Sequence, residues 1–122
     1  MKAVGDTFII PNPSNNKDHL YIVIGLTESG DLIAVNLTTT DINRSTCFLD
    51  KGDHPLVKER SAINFWDVKN PLNLKALQDG EQQRIVKPQV PIDRTIVNRI
   101  IEAALQSRHF PKVLQRYLKV QL

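Results

Sequence analysis

The sequence predicts a mostly β, or α+β, chain: a small antiparallel barrel with C-terminal helices packed on it. Two observations carry this. Five short apolar runs, separated by short turn-rich connections with no helix between them, fill about the first 67 residues. After them the hydrophobic period changes from that of strands to that of helices.

The runs follow in order. Gly5-Asp6 opens Thr7-Phe8-Ile9-Ile10, a first strand stopped by Pro11 and Pro13. Residues 11–18 are polar throughout and form a projecting connection. His19-Leu20-Tyr21-Ile22-Val23-Ile24-Gly25-Leu26 is almost unbroken and β-branched, as in a strand covered on both faces. A turn at Thr27-Glu28-Ser29-Gly30-Asp31 returns the chain into a third strand over residues 32–37. Residues 46–49 and 62–66 are the fourth and fifth strands, completing a meander-like run.

Between those last two lies the stretch that organises the chain. Gly52-Asp53-His54-Pro55 should be sharply shaped, because Gly52 admits a positive φ and Pro55 fixes its own. A shaped loop carrying a histidine, cations and a hydroxyl is where chemistry can reside; the alternative is a hairpin turn that only caps itself.

Asn70-Pro71 then starts a brief helix, stopped by Gly80. Residues 84–87 form a last strand, ended by Pro88 and Pro91. Asp93 caps the clearest helix, whose Ile96, Val97, Ile100, Ile101, Ala104 and Leu105 make a wide apolar stripe. That stripe is core or dimer contact. His109-Phe110-Pro111 breaks the helix, and Val113, Leu114, Tyr117 and Leu118 mark a terminal one. The organisation expected is a single domain over residues 1–122, with a barrel core over about 4–90 and helices over about 93–119.

Composition narrows the function classes. With 41% hydrophobic and 24% charged residues the 122-residue chain has an ordinary globular balance, which argues against disorder of its body. A net charge of +3 is compatible with a polyanionic partner without requiring one. The lone Cys47 forms no intramolecular disulfide and reads as a small core residue. No Cys/His spacing resembles a zinc site, and no metal or other cofactor is expected. The N-terminus lacks an apolar secretion core, and the longest apolar run, residues 20–26, is too short to cross a bilayer. The expected setting is cytoplasmic, with no membrane partner.

Histidine alone titrates near neutral pH without special help. His19 stands at the start of the buried second strand and His54 in the focal turn, while His109 at a helix end reads as structural. A closed sheet can bring His19 and His54 to one rim, with Thr38 and Thr39 at the end of the third strand and Lys17, Lys58, Arg60 and Ser61 nearby. Two imidazoles, hydroxyls and cations suit cleavage of RNA by its own 2′-hydroxyl, which needs a base, an acid and charge stabilisation of the phosphorane. Trp66 can stack on a base. The interleaved Asp50, Asp53 and Glu59 favour an ordinary solvated surface for the basic residues. Read singly, each histidine is equally a satisfied strand-edge or turn residue, and each threonine a good strand former.

The order of features resembles the MazF/PemK (Kid) toxin superfamily over roughly residues 4–67. The resemblance lies in Gly5-Asp6, in Lys17-Asp18-His19-Leu20-Tyr21-Ile22-Val23-Ile24, and in Ala34-Val35-Asn36-Leu37-Thr38-Thr39. The Gly52-Asp53-His54-Pro55 turn with Ser61-Ala62-Ile63-Asn64-Phe65 is similar to a divergent branch of that group. The resemblance implies an SH3-like barrel that dimerises and acts as a type II toxin: a metal-independent endoribonuclease on single-stranded RNA, held inactive by an antitoxin. The family's catalytic arginine falls on His19, its following proline on Leu20, and its hydroxyl on Thr38 or Thr39. A histidine is a poorer permanent cation, so His54 would serve as its partner, with Lys17 or Arg60 supplying charge. The rivals are a barrel that poisons gyrase by protein contact and one that binds nucleic acid without cutting it.

Overall fold

The computed structural model describes residues 2–12, 17–40 and 42–122. It is an α+β fold built on a six-stranded antiparallel sheet: β1 Thr7–Asn12, β2 Lys17–Leu26, β3 Leu32–Thr38, β4 Phe48–Leu49, β5 Ser61–Asn64 and β6 Lys87–Gln89. The three α-helices are α1 Leu74–Gln82, α2 Arg94–Gln106 and α3 Gln115–Lys119.

The strand order is β4-β5-β3-β2-β1-β6, so the meander expected from the sequence holds only for β1 to β3. Burial explains the exchange. All four residues of β5 are buried and require a neighbour on each side, whereas β4 has two residues and a half-buried Phe48, which suits an edge. Ser45 ties the two strands together: its hydroxyl donates to the Ile63 carbonyl at 2.7 Å and accepts from the Cys47 N–H at 3.1 Å. β6 begins later than expected and runs through Pro88, which an edge strand tolerates because it needs no second ladder.

Alternation along β2 and β3 divides the apolar residues between two faces. Ile22, Ile24, Ile33, Val35 and Ile63 face α2 and α3, together with Val97, Ile100, Ile101 and Ala104 of α2 and Leu118 of α3. The α2 stripe is therefore core within the chain. Phe8, Val23, Leu32 and Ala34 face the other way, onto Leu77 and the neighbouring Val86. The unbroken hydrophobicity of β2 is thus the signature of a strand covered on both sides. Val113, expected among the apolar markers of the terminal helix, is 77% exposed in a 3₁₀ turn, while Leu114 and Leu118 are buried.

Helix ends obey local rules. Asp93 caps α2 as expected, its Oδ1 accepting from the Thr95 N–H at 3.2 Å. For α1 the cap is Asn73, whose Oδ1 accepts from the Ala76 N–H at 2.9 Å, so the helix starts three residues after Asn70. Gly80 does not end α1 but lies inside it. A Cβ there would sit 2.7 Å from Val86 Cγ2, because the chain folds back so that Ile85 and Val86 N–H groups both reach the Gly80 carbonyl. The reversal is made by Arg84 at φ 61°, in the left-handed conformation glycine usually supplies after a helix.

Cys47 is 4% exposed within the α2-facing core, and burial pushes its thiol above the ordinary value, with Arg99 acting weakly in the opposite sense. The folded state disfavours the thiolate, so this contribution is complete below the ordinary thiol value and is lost as pH rises above it. Ellman's reagent should therefore react slowly with the native protein at mildly alkaline pH and quickly in denaturant. For Gly80→Ala, helix propensity favours alanine by about 1 kcal/mol. The clash with the stiff, buried Val86 should outweigh this and leave a net loss of about 1–2 kcal/mol in urea denaturation.

Candidate functional site

The focal turn is as sharply shaped as its sequence requires. Gly52 has φ 102°, Asp53 Oδ2 accepts from the Asp50 N–H at 2.8 Å, and the Val57 N–H closes a turn onto the His54 carbonyl at 2.9 Å with Pro55 at its second position. The consequence for His54 differs from the catalytic role expected of it. The ring is 2% exposed and engaged at both nitrogens. Nδ1 accepts from the Leu56 N–H at 3.1 Å, so the proton of the neutral ring resides on Nε2, which donates to the Val90 carbonyl at 2.8 Å. Thr7 Oγ1 donates to the same carbonyl at 2.6 Å and lies 3.2 Å from Nε2. Such an imidazole has neither an exposed edge nor a spare nitrogen for a substrate. The structure withdraws His54 from the acid–base pair and makes it a strut from the β4–β5 loop to the end of β6.

Four of the other expected residues do meet. His19, Thr38, Thr39 and Ser61 line one cleft of about 220 Å³ at the ends of β2 and β3, together with Asp18, Thr40 and the apolar Leu20, Leu37, Leu56 and Val57. The half-buried His19 ring has Nδ1 3.4 Å from the Leu37 carbonyl. Thr38 Oγ1 accepts from the Thr40 N–H at 3.1 Å, folding three consecutive threonines into a tight hydroxyl-bearing turn. Ser61 Oγ donates to the Glu59 carbonyl at 3.0 Å. Leu56 and Val57, held by the His54 strut, form one wall, so the focal turn shapes the cleft without supplying an imidazole to it.

The expected RNA-binding residues scatter. The Arg60 guanidinium lies 4.4 Å from the Phe48 ring centroid and 3.9 Å from Asp50, in a separate depression with Arg99 and Thr46. Lys58 is exposed and is not among the residues lining the cleft. Trp66 is covered by Arg44 at 4.6 Å and meets His109 edge-on at 6.4 Å, so it offers no open platform beside His19. The side chain of Lys17 and most of the connection after Asn12 lie outside the described residues.

A second polar cleft, of about 300 Å³, was not anticipated. Tyr21, Asn36, Asn64 and Asp67 line it, with Lys69, Asn70 and Leu72. Its signal was legible: Asn36 interrupts the apolar run Leu32-Ile33-Ala34-Val35, and asparagine is disfavoured in strands. Among the described residues, no helix is long and apolar enough to cross a membrane. Comparison with protein-family models, with curated proteins and with solved structures found no match to this chain.

The strut is testable by stability. His54→Ala leaves the Leu56 N–H without its acceptor and opens a cavity, and should cost about 2–4 kcal/mol in urea denaturation. An unchanged denaturation midpoint would show that the ring holds nothing together.

Proposed function

We propose that the chain is an RNA-cleaving toxin of a type II toxin–antitoxin pair, a metal-independent endoribonuclease acting on single-stranded RNA at the His19 cleft. One observation carries this reading: His19, Thr38, Thr39 and Ser61, far apart along the chain, line a single concave site. The barrel-like sheet, the likeness of the Gly5 to Thr39 segments to MazF/PemK proteins and the hydroxyl-rich end of β3 support it further. The same likeness is the basis for a homodimer and an antitoxin partner in a cytoplasmic setting.

The chemistry follows from the groups present. The neutral His19 imidazole takes the proton of a 2′-hydroxyl, and the 2′-oxygen attacks the adjacent phosphorus. The Thr39 hydroxyl donates to the non-bridging oxygens as charge gathers on them, and those of Thr38 and Ser61 join it by turning from the Thr40 and Glu59 carbonyls to which they donate in the structure. The bond to the 5′-oxygen breaks, that oxygen takes a proton from water, and the hydroxide so formed recovers the proton held by the His19 imidazolium, leaving a 2′,3′-cyclic phosphate, a 5′-hydroxyl and the neutral base. A flexible single strand reaches the in-line geometry more readily than an A-form duplex. With one imidazole instead of two, the enzyme forgoes one general-catalyst contribution of roughly 10²–10⁴-fold and should be slow.

A second reading has its own observation. Among the described residues no Lys or Arg side chain lines the cleft, which suits a site that holds a strand through hydroxyls without cutting it. Purified protein incubated with long single-stranded RNA in EDTA separates the two. Discrete fragments ending in 2′,3′-cyclic phosphate, reduced at least about 100-fold in His19→Ala, are the expected result. Full cleavage by His19→Ala would remove the proposed mechanism. Retardation of the RNA without fragments would select the binding protein, and neither effect would point to a protein target.

A further inference from the structure

The second cleft has the construction of a binding site. Phe8, Tyr21, Asn36 and Asn64 are direct cross-strand partners on β1, β2, β3 and β5, so they form one row across the same face of the sheet. Phe8 stacks on Tyr21 with ring centroids 5.5 Å apart and planes within 1°, which fixes the aromatic end of the row. The opposite wall is the segment over residues 67–72, and it is pinned at both ends. Asn64 Nδ2 donates to Asp67 Oδ2 at 2.8 Å and the Asp67 N–H returns to Asn64 Oδ1 at 3.1 Å; Leu72 exchanges backbone bonds with Leu32 at 2.7 and 2.9 Å.

Within this frame the side-chain oxygen of Asn36 is buried without a hydrogen-bond partner. A stranded acceptor in a folded core carries a cost that a bound donor removes. Turning the amide about its broad χ2 torsion exchanges Oδ1 and Nδ2, which brings the oxygen to the cleft and Nδ2 to the inner position. The Asp67 carboxylate at the rim is a second acceptor, and Lys69 places a cation beside it.

We infer that this cleft binds a nucleobase bearing an exocyclic amine, adenine or cytosine in preference to uracil, with Lys69 toward the attached phosphate. Asn36 Oδ1 and the Asp67 carboxylate are acceptors that an exocyclic amine satisfies; asparagine reading adenine and a carboxylate accepting from cytosine are recurrent pairings. The cleft is about 300 Å³, at the small end of the roughly 300–1,000 Å³ found for small-molecule sites, which fits one heterocycle against the fixed Tyr21 ring. Asn36 and Thr38 are two residues apart on one strand, about 6.6 Å, and so are Tyr21 and His19, so a base here would neighbour the backbone held at the His19 cleft. The inference rests on the RNA reading only for the source of the base, which arrives either on a strand or as a free nucleotide.

Fluorescence anisotropy with labelled octamers rA8, rC8 and rU8, and calorimetry with AMP, CMP and UMP, test it. The expected result is binding of rA8 and rC8 at least about tenfold tighter than rU8, a preference abolished in Asn36→Leu and weakened in Asp67→Ala. Asp67→Ala alters an exposed rim residue and serves if the strand substitution fails to fold. Equal affinity for rU8, a preference surviving in both variants, or no binding of any octamer or mononucleotide overturns the inference. Octamer binding without base preference overturns the base pocket and leaves the RNA reading standing. Preference for AMP and CMP over UMP with no octamer bound keeps the pocket and removes the RNA reading.

Discussion

An antiparallel sheet of six strands that does not close by a ladder leaves two edges whose backbone groups need partners. In this fold the region beside the β6 edge is joined to the opposite end of the sheet by one imidazole. His54 accepts a hydrogen bond from the Leu56 amide on its own loop and donates one to the Val90 carbonyl just past β6, while Thr7 of β1 shares that acceptor. Three segments distant in sequence, the β4–β5 loop, the residue after β6 and the start of β1, meet at this point. The interaction is polar, buried and satisfied on both sides, which is the condition under which such a group specifies one arrangement instead of destabilising it. The seat of the focal loop and the Leu56–Val57 wall of the first cleft follow from it.

The second constraint is that the central strands have apolar cover on both faces. α2 and α3 cover one side and α1 the other, so β2 and β3 have no solvent face along most of their length. That arrangement fixes register strongly, because a one-residue slip would carry Ile22 and Val35 into the layer packed for Val23 and Ala34. It also fixes where function can lie. Polar side chains fit only where the helical cover ends, and both clefts occur at such places, one at the ends of β2 and β3 and the other beside the segment leading into α1.

Much of this was legible in the residues. The order of the first five strands along the chain, the two-sided burial of β2, the Asp93 cap and the buried Cys47 follow from periodicity and cap chemistry, which are local; β1 running through Pro11 to Asn12 and β2 beginning at Lys17 do not. The gathering of His19 with Thr38, Thr39 and Ser61 was legible as well, since all fall at strand ends that an antiparallel sheet brings together. Three further features were not. The placement of β5 between β3 and β4 depends on burial of Ser61 to Asn64 on both faces, and a four-residue run does not declare its second neighbour. Gly80 carries the composition signal of a helix end but serves a close approach by Val86. His54 has the same residue type and turn context whether it faces solvent or a carbonyl thirty-six positions later, so only the fold distinguishes catalyst from strut.

Polar residues gather on one face of the central strands. His19 and Tyr21 alternate along β2 onto the same face, as do Asn36 and Thr38 along β3, and Tyr21 pairs directly with Asn36. A sheet selected only for stability would continue Ala34 with another apolar residue at position 36, since an unpaired carboxamide oxygen in a packed layer costs roughly 1–3 kcal/mol. Here the apolar series stops and histidine, tyrosine, asparagine and threonine take over together on neighbouring strands. The change is confined to one face: on the other, Ile22, Val35 and Ile63 continue the core without a break. A random polar substitution would not be matched across three strands at the same level. Position 36 is therefore where packing stops dictating the residue type on this face, at the level where the cover given by α1 ends.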